Sequence, residues 1–166
     1  SNCVQTASWD TERTGSPGKL TFTVIKSGDL SFTEGDIVRF SVDGQLQFYG
    51  WVFTKSKNRW GEIEVTCYDR LRYLKANASY GFYGQTVGQI IQQIAGDLQL
   101  DVGTIADTGY QIPSLIEKDQ SCLDIIESAV QQTLLNTGNI YVFYDDGNGL
   151  ALQQPADMKS NVLIGE

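Results

Sequence analysis

Gly61–Lys75, GEIEVTCYDRLRYLK, is the stretch on which the reading of this chain turns. Ile63, Val65 and Cys67 alternate with Glu62, Glu64 and Thr66, a period of two that suits a strand with one face buried and one wet. At Tyr68 and Asp69 the alternation stops. Leu71 and Leu74 then recur at a spacing of three, which predicts a short helix with Asp69 as its cap. Upstream the chain reads as β-structure; downstream it carries two amphipathic helices.

Moving outward towards the start, Val4–Trp9 is a first candidate strand, followed by a turn-rich loop, TGSPG, at Thr14–Gly18. Leu20, Phe22 and Val24 alternate with Thr21, Thr23 and Ile25, and Lys26–Asp29 closes that strand. The polar turn Glu34–Asp36 precedes a strand over Ile37–Val42. Asp43-Gly44 is a hairpin signal joining it to a long aromatic strand, Leu46–Phe53, with Gly50 in its middle. A lone Gly inside a strand marks a bulge or bend. Some six short, evenly spaced strands with no helix among them predict a small antiparallel β-barrel over residues 3–75.

Moving outward towards the end, Ala76–Gly84 reads as a passage into a second subdomain over residues 76–160. Thr86 with Gln89 three residues on forms a capping box, and Val87, Ile90, Ile91, Ile94, Ala95 and Leu98 make one apolar stripe. Asp101–Pro113 is irregular, with extended pieces around 102–105 and 110–112. Ser121, with Asp124 at the third helical position, caps a second helix whose stripe is Cys122, Ile125, Ile126, Ala129, Val130 and Leu134. Gly138 ends it. A strand over Asn139–Tyr144, the turn DDGNG at Asp145–Gly149 and a strand over Leu150–Gln153 complete a hairpin for the helices to pack on. Asn161–Glu166 reads as the start of a further strand, a following segment cut short. The fold class expected is therefore α+β.

Composition narrows the chemistry. With 166 residues, 41% of them hydrophobic, there is material for a real core in one or two small domains. Twenty acids against twelve scattered Lys and Arg give a formal charge of −8, which argues against a nucleic-acid backbone as partner. No apolar run approaches the roughly 20 residues needed to span a bilayer, and no signal peptide is evident. Three separated cysteines, Cys3, Cys67 and Cys122, read as buried structural thiols in a reducing compartment. The chain has no His at all, which removes Ser-His-Asp and Cys-His catalysis and the commonest transition-metal ligand.

The remaining motifs read as structure before chemistry. DDGNG has the carboxylates of a calcium loop, but Leu150, Leu152 and Gln153 do not supply the further oxygens such a loop needs, so it is read as a hairpin turn. Glu62 and Glu64 would share one strand face like a glycosidase pair; the alternation places both on the solvent side. Phe48, Tyr49, Trp51 and Phe53, with Trp60 and Tyr68 nearby, are candidates for a stacking platform, although alternation divides them between two faces. Asn77–Ser79 matches a glycosylation acceptor and carries no weight without export. No catalytic, cofactor-binding or metal-ligating residue is assigned.

Taken in order, EGDIVRFSVDGQLQFYGWVF (34–53), EIEVTCYDRLRYLKA (62–76), TVGQIIQQIAGDLQL (86–100) and DQSCLDIIESAV (119–130) resemble the XkdQ/YqbQ family of PBSX-like prophages. The features that carry the resemblance are Glu34–Asp36 opening a strand, the Phe-x-Gly strand at Phe48–Gly50, and Tyr68–Leu71 before a helical subdomain. The resemblance implies a structural protein of a contractile tail, a baseplate hub joining tail tube to spike. It implies a homotrimeric ring for a full-length member, each subunit giving two barrels; the second would lie beyond Glu166, so this chain alone need not close a ring. Partners would be the tail tube, the spike and other baseplate proteins, with no nucleic acid, membrane or cofactor. The location would be bacterial cytoplasm during assembly and then the virion or tail-like particle. The rival reading is a cell-wall carbohydrate-binding module, or the anchoring part of a tail-associated muralytic enzyme, using the aromatic strand. A hydrolase working through Glu64 comes third.

Overall fold

The computed structural model describes residues 4–10, 18–25 and 33–158. Cys3, most of the TGSPG loop, the Lys26–Asp29 closure and the strand expected at Asn161–Glu166 lie outside them. The described chain is α+β and mostly strand, and it separates into two compact units, with the division between Asp69 and Arg70.

The first unit is a five-stranded antiparallel sheet of β1 (Val4–Asp10), β2 (Lys19–Ile25), β3 (Ile37–Val42), β4 (Gln45–Lys57) and β5 (Glu62–Tyr68), in the order β1-β2-β5-β4-β3. The alternation of β5 fixes its register against both neighbours. Leu20 and Phe22 stand opposite Cys67 and Val65 on one side, and Val52 stands opposite Cys67 on the other. These residues and Phe48 form the buried face, all no more than 7% exposed. The Asp43-Gly44 hairpin forms as expected, with both residues at positive φ and Val42 paired to Gln45.

The closed barrel expected over residues 3–75 is not what the strands build. Among the described residues β1 pairs only with β2 and β3 only with β4, so the sheet is open. Five described strands take the place of the six expected. Even strand spacing reports that strands pair in sequence; it carries no information on whether the first meets the last. Gly50 does mark a tight place, because its bare Cα lets the Tyr68 carbonyl and the Phe48 ring close over it. Asp69 ends the unit: its carboxylate accepts the Gly18 N–H at 2.8 Å, and its own N–H donates to the Gly18 carbonyl at 3.1 Å.

In the second unit the predicted short helix is a 3-10 helix, Arg70–Lys75, with Leu71 and Leu74 buried. Helix α1 (Val87–Asp97) carries the capping box in full, with Thr86 N–H donating to Gln89 Oε1 at 3.0 Å and Gln89 N–H to Thr86 Oγ1 at 3.3 Å. Helix α2 (Cys122–Thr137) starts on Ser121, whose Oγ accepts the Asp124 N–H, and ends on Gly138 at φ 73°. The two apolar stripes meet in one core with Phe82, Ile112, Leu115, Phe143, Leu150 and Leu152.

That core is closed by two small sheets. One orders β7 (Val102–Ile105), β10 (Leu150–Gln153) and β9 (Val142–Asp145), with β10 central, antiparallel to β9 and parallel to β7. The expected hairpin is thus present, shortened at its start, with a third strand added. The other is an antiparallel ribbon of β6 (Asn77–Gln85) and β8 (Ile112–Ser121). The segment Ala76–Gly84 is therefore mostly strand and not a passage. Gly81, Gly84 and the run EKDQ hide the ribbon from a propensity reading, because only Phe82, Ile112 and Leu115 on its inner side are deeply buried.

An ion pair fastens this unit from inside. Arg70 Nη1 lies 3.0 Å from Asp145 Oδ1, with the two side chains 3% and 2% exposed. The backbone N–H groups of Arg70 and Gly147 also donate to the Asp145 carboxylate, each at 2.9 Å. Arg70 further donates to the Gly147 carbonyl at 3.3 Å and to the exposed Asp101 carboxylate at 3.4 Å. Gly149 completes the joint, since a Cβ there would stand 2.5 Å from the backbone nitrogen of Gly103.

Burial pushes the Asp145 carboxyl above its ordinary range, and the Arg70 guanidinium with the two N–H donors pulls it back less strongly. A carboxyl raised in the folded state favours folding while protonated, and its ionisation subtracts stability as pH climbs through its folded value. Arg70→Met removes the main opposing charge and is expected to cost about 3–5 kcal/mol at pH 7. Most of that loss should return as the pH is lowered towards the protonated form of Asp145. Urea unfolding at neutral and acid pH checks this; a loss equal at both would show that the carboxylate is not its source.

Two glycine substitutions should move stability in opposite directions. Gly50→Ala forces a Cβ against the Tyr68 carbonyl and within 2.6 Å of the Phe48 ring, and is expected to cost about 1–3 kcal/mol. Gly96→Ala, helical and facing open space, is expected to add roughly 0.4–1 kcal/mol by restricting the unfolded chain. Denaturation midpoints of the two variants decide the signs.

Candidate interaction surface

The alternation that buries one face of the five-stranded sheet necessarily turns a second set of side chains outward. Lys19, Tyr68, Trp51 and Ile37 stand in one cross-strand row over β2, β5, β4 and β3. Tyr49 and Arg39 are paired in the next row, with the Arg39 guanidinium 5.4 Å from the Tyr49 ring centre. The register shifts between Val52 and Thr54, so Phe53 sits at a bulge and its ring meets Tyr68 edge-on at 5.2 Å. Tyr49 and Trp51 make a second edge-on pair at 5.5 Å. Ile37 is 57% exposed and Phe53 46%, and the outward face thus presents apolar area to solvent.

The aromatic residues singled out in the sequence divide as alternation requires. Phe48 is core, while Tyr49, Trp51, Phe53 and Tyr68 form the outward cluster. Trp60 does not join them; it lies in the β4–β5 turn, 71% exposed, with the Arg59 guanidinium 4.2 Å above its ring. Glu62 and Glu64 fall on the outward face of β5 as expected. The Glu62 carboxylate accepts from Asn58 Nδ2 at 2.7 Å, so its work is to hold the turn.

The acidic turn spends its carboxylates internally. Asp145 holds Arg70, and Asp146 Oδ1 accepts the N–H groups of Asn148 and Gly149 at 2.8 and 2.9 Å. Among the described residues no group of three potential metal ligands comes together. Asn77 Nδ2 and Ser79 Oγ both bond Asp119, tying β6 to β8. Burial pushes the Cys67 thiol up to about 12 and also raises Cys122, so both are inert at neutral pH. A concavity of about 580 Å³ is lined by Thr86, Gln89, Gln92, Ile105, Asp107 and neighbours. Asp107 is its one titratable lining group and accepts the Gly109 N–H, so the cleft offers no acid and base pair.

What the sequence reading missed is the burial of Arg70. No local signal marks it, because Arg70 stands among Asp69, Arg72 and Lys75 and its partner lies 75 residues away.

Comparison with known proteins agrees with this description. YqbQ of Bacillus subtilis (strain 168) is 35% identical over 162 residues, covering 93% of this chain and 49% of that protein. The phage-like element PBSX protein XkdQ of the same organism is 35% identical over 156 residues, covering 90% and 48%. The chain thus spans about half the length of these relatives. A tail protein from Neisseria meningitidis MC58 superposes with a TM-score of 0.71 at 13% identity, over 88% of this chain and 44% of that one. The 43 kDa tail protein of prophage MuSo2 from Shewanella oneidensis gives 0.69 at 14%, over 88% and 47%. These two likenesses speak for the fold. The YQBQ-like family model matches residues 7–166, nearly the whole chain, and this protein therefore belongs to the YQBQ-like family.

Proposed function

We propose that this chain is a structural component of a phage tail or tail-like particle, part of a baseplate hub that connects tail tube to central spike. The observation that carries the reading is the outward face of the open sheet, where Ile37, Trp51, Phe53 and Tyr68 offer apolar area on a rigid β-scaffold with Arg39 and Lys19 at its margin. Faces of this kind suit protein contacts. In this reading the first unit is the hub domain and the second an inserted subdomain. The full-length protein assembles as a homotrimer among other baseplate proteins and ends in the virion. No catalytic step is assigned to it; the phage-like element protein among its relatives and the two tail proteins that share its fold support a structural role.

The carbohydrate-platform reading draws less support from the geometry. A sugar stacks on an open ring face, whereas Tyr49 with Trp51 and Phe53 with Tyr68 are locked edge to face at 88° and 86°.

Particles purified from a strain carrying the gene decide the matter. The protein is expected to co-purify with them, and Ile37→Asp or Phe53→Asp is expected to cut incorporation about tenfold or more, with circular dichroism unchanged. Absence of the wild-type protein from intact particles would end the hub reading.

A further inference from the structure

The β4–β5 turn is built to present Trp60. Asn58 Oδ1 accepts the N–H groups of Trp60 and Glu62, each at 3.0 Å. Asn58 N–H donates to the Glu62 carbonyl at 2.9 Å, and Gly61 N–H to the Asn58 carbonyl at 3.1 Å. Residues 53–60 are all exposed, and they include Lys55, Lys57 and Arg59 with no acid among them. A single exposed apolar side chain is ordinary on a protein surface. A Trp that is 71% exposed, on a hydrogen-bonded turn and covered by a guanidinium at 4.2 Å, combines two of the three residue types enriched at binding hot spots. The turn loses little entropy on docking because its backbone is already fixed.

The cations are out of keeping with a chain that carries twenty acids against twelve bases in all. We infer that the Lys57–Gly61 turn is a contact finger for the acidic surface of a second copy of this chain, with Trp60 as anchor and Lys57 and Arg59 as its flanking charges. This rests on the assembly reading above and names a contact that such an assembly would use. Two copies of net charge −8 repel at long range, but at physiological salt the screening length is about 8 Å. Local complementarity then governs the contact: a basic finger meets carboxylates while the bulk repulsion is screened.

The test is self-association of the chain, followed by sedimentation velocity at physiological salt over a wide concentration range. Trp60→Ala, which leaves the charge unchanged, is expected to weaken association about tenfold, a loss of roughly 1.4 kcal/mol. Lys57→Glu with Arg59→Glu should weaken it at least as much. Lys75→Glu with Lys118→Glu, both exposed and outside the five-stranded sheet, imposes the same change in net charge elsewhere and should have a far smaller effect. Circular dichroism confirms that each variant folds. Association indifferent to the turn variants overturns the finger and leaves the assembly reading standing, and so does a chain that stays monomeric throughout. Saturable retention on purified cell wall that is lost in Trp60→Ala would also overturn it, in favour of a sugar ligand. The assembly reading itself fails only by absence from tail particles, so the two failures are distinguishable.

Discussion

The second unit depends on one buried ion pair. Arg70 and Asp145 are separated by 75 residues and are almost fully withdrawn from water, and each would be costly to bury alone. Their meeting therefore commits three segments at once: the 3-10 helix that bears Arg70, the end of β9 that bears Asp145, and the entry to β7 at Asp101. Apolar packing alone would tolerate small slides of β10 against the helices. A pair that also takes N–H donations from Arg70 and Gly147 tolerates none, because any slide strands a charge or an amide.

This explains which parts of the fold were legible in the sequence. Helices α1 and α2 announce themselves through local signals, a capping residue, an apolar stripe and a terminal Gly, all within one segment. Strand β5 does so through strict alternation. The β6–β8 ribbon and the open edge of the first sheet depend on pairing between distant segments. Phe82 meets Leu115 and Gln85 meets Ile112, and neither partner predicts the other. The barrel expectation failed for the same reason: closure is a relation between the first and last strands, and strand spacing is silent on it.

The surface was legible to a similar extent. Alternation correctly divided Phe48 from Tyr49 and Trp51, and it placed Glu62 and Glu64 outward. It did not foresee that the outward rings would lock in edge-to-face pairs, or that Trp60 would be held apart by a turn built on Asn58. Both follow from details a period-of-two pattern cannot encode, the register shift beyond Val52 and the side-chain bonds of a single Asn.

The outward face differs in kind from a reactive site, which supports the proposal that it is a contact surface. A reactive site needs a group whose proton affinity is tuned and a cavity that excludes water. Among the described residues the shifted groups are buried thiols, two tyrosines and one carboxyl engaged by arginine, each explained by packing. The outward rings, by contrast, are stiff, partly exposed and backed by paired strands. A partner that covers them gains apolar burial at small entropic cost. The face is stiffened by paired strands of the first unit, whereas the commitment of Asp145 and Asp146 comes from the turn and ion pair of the second, so the two properties have separate sources.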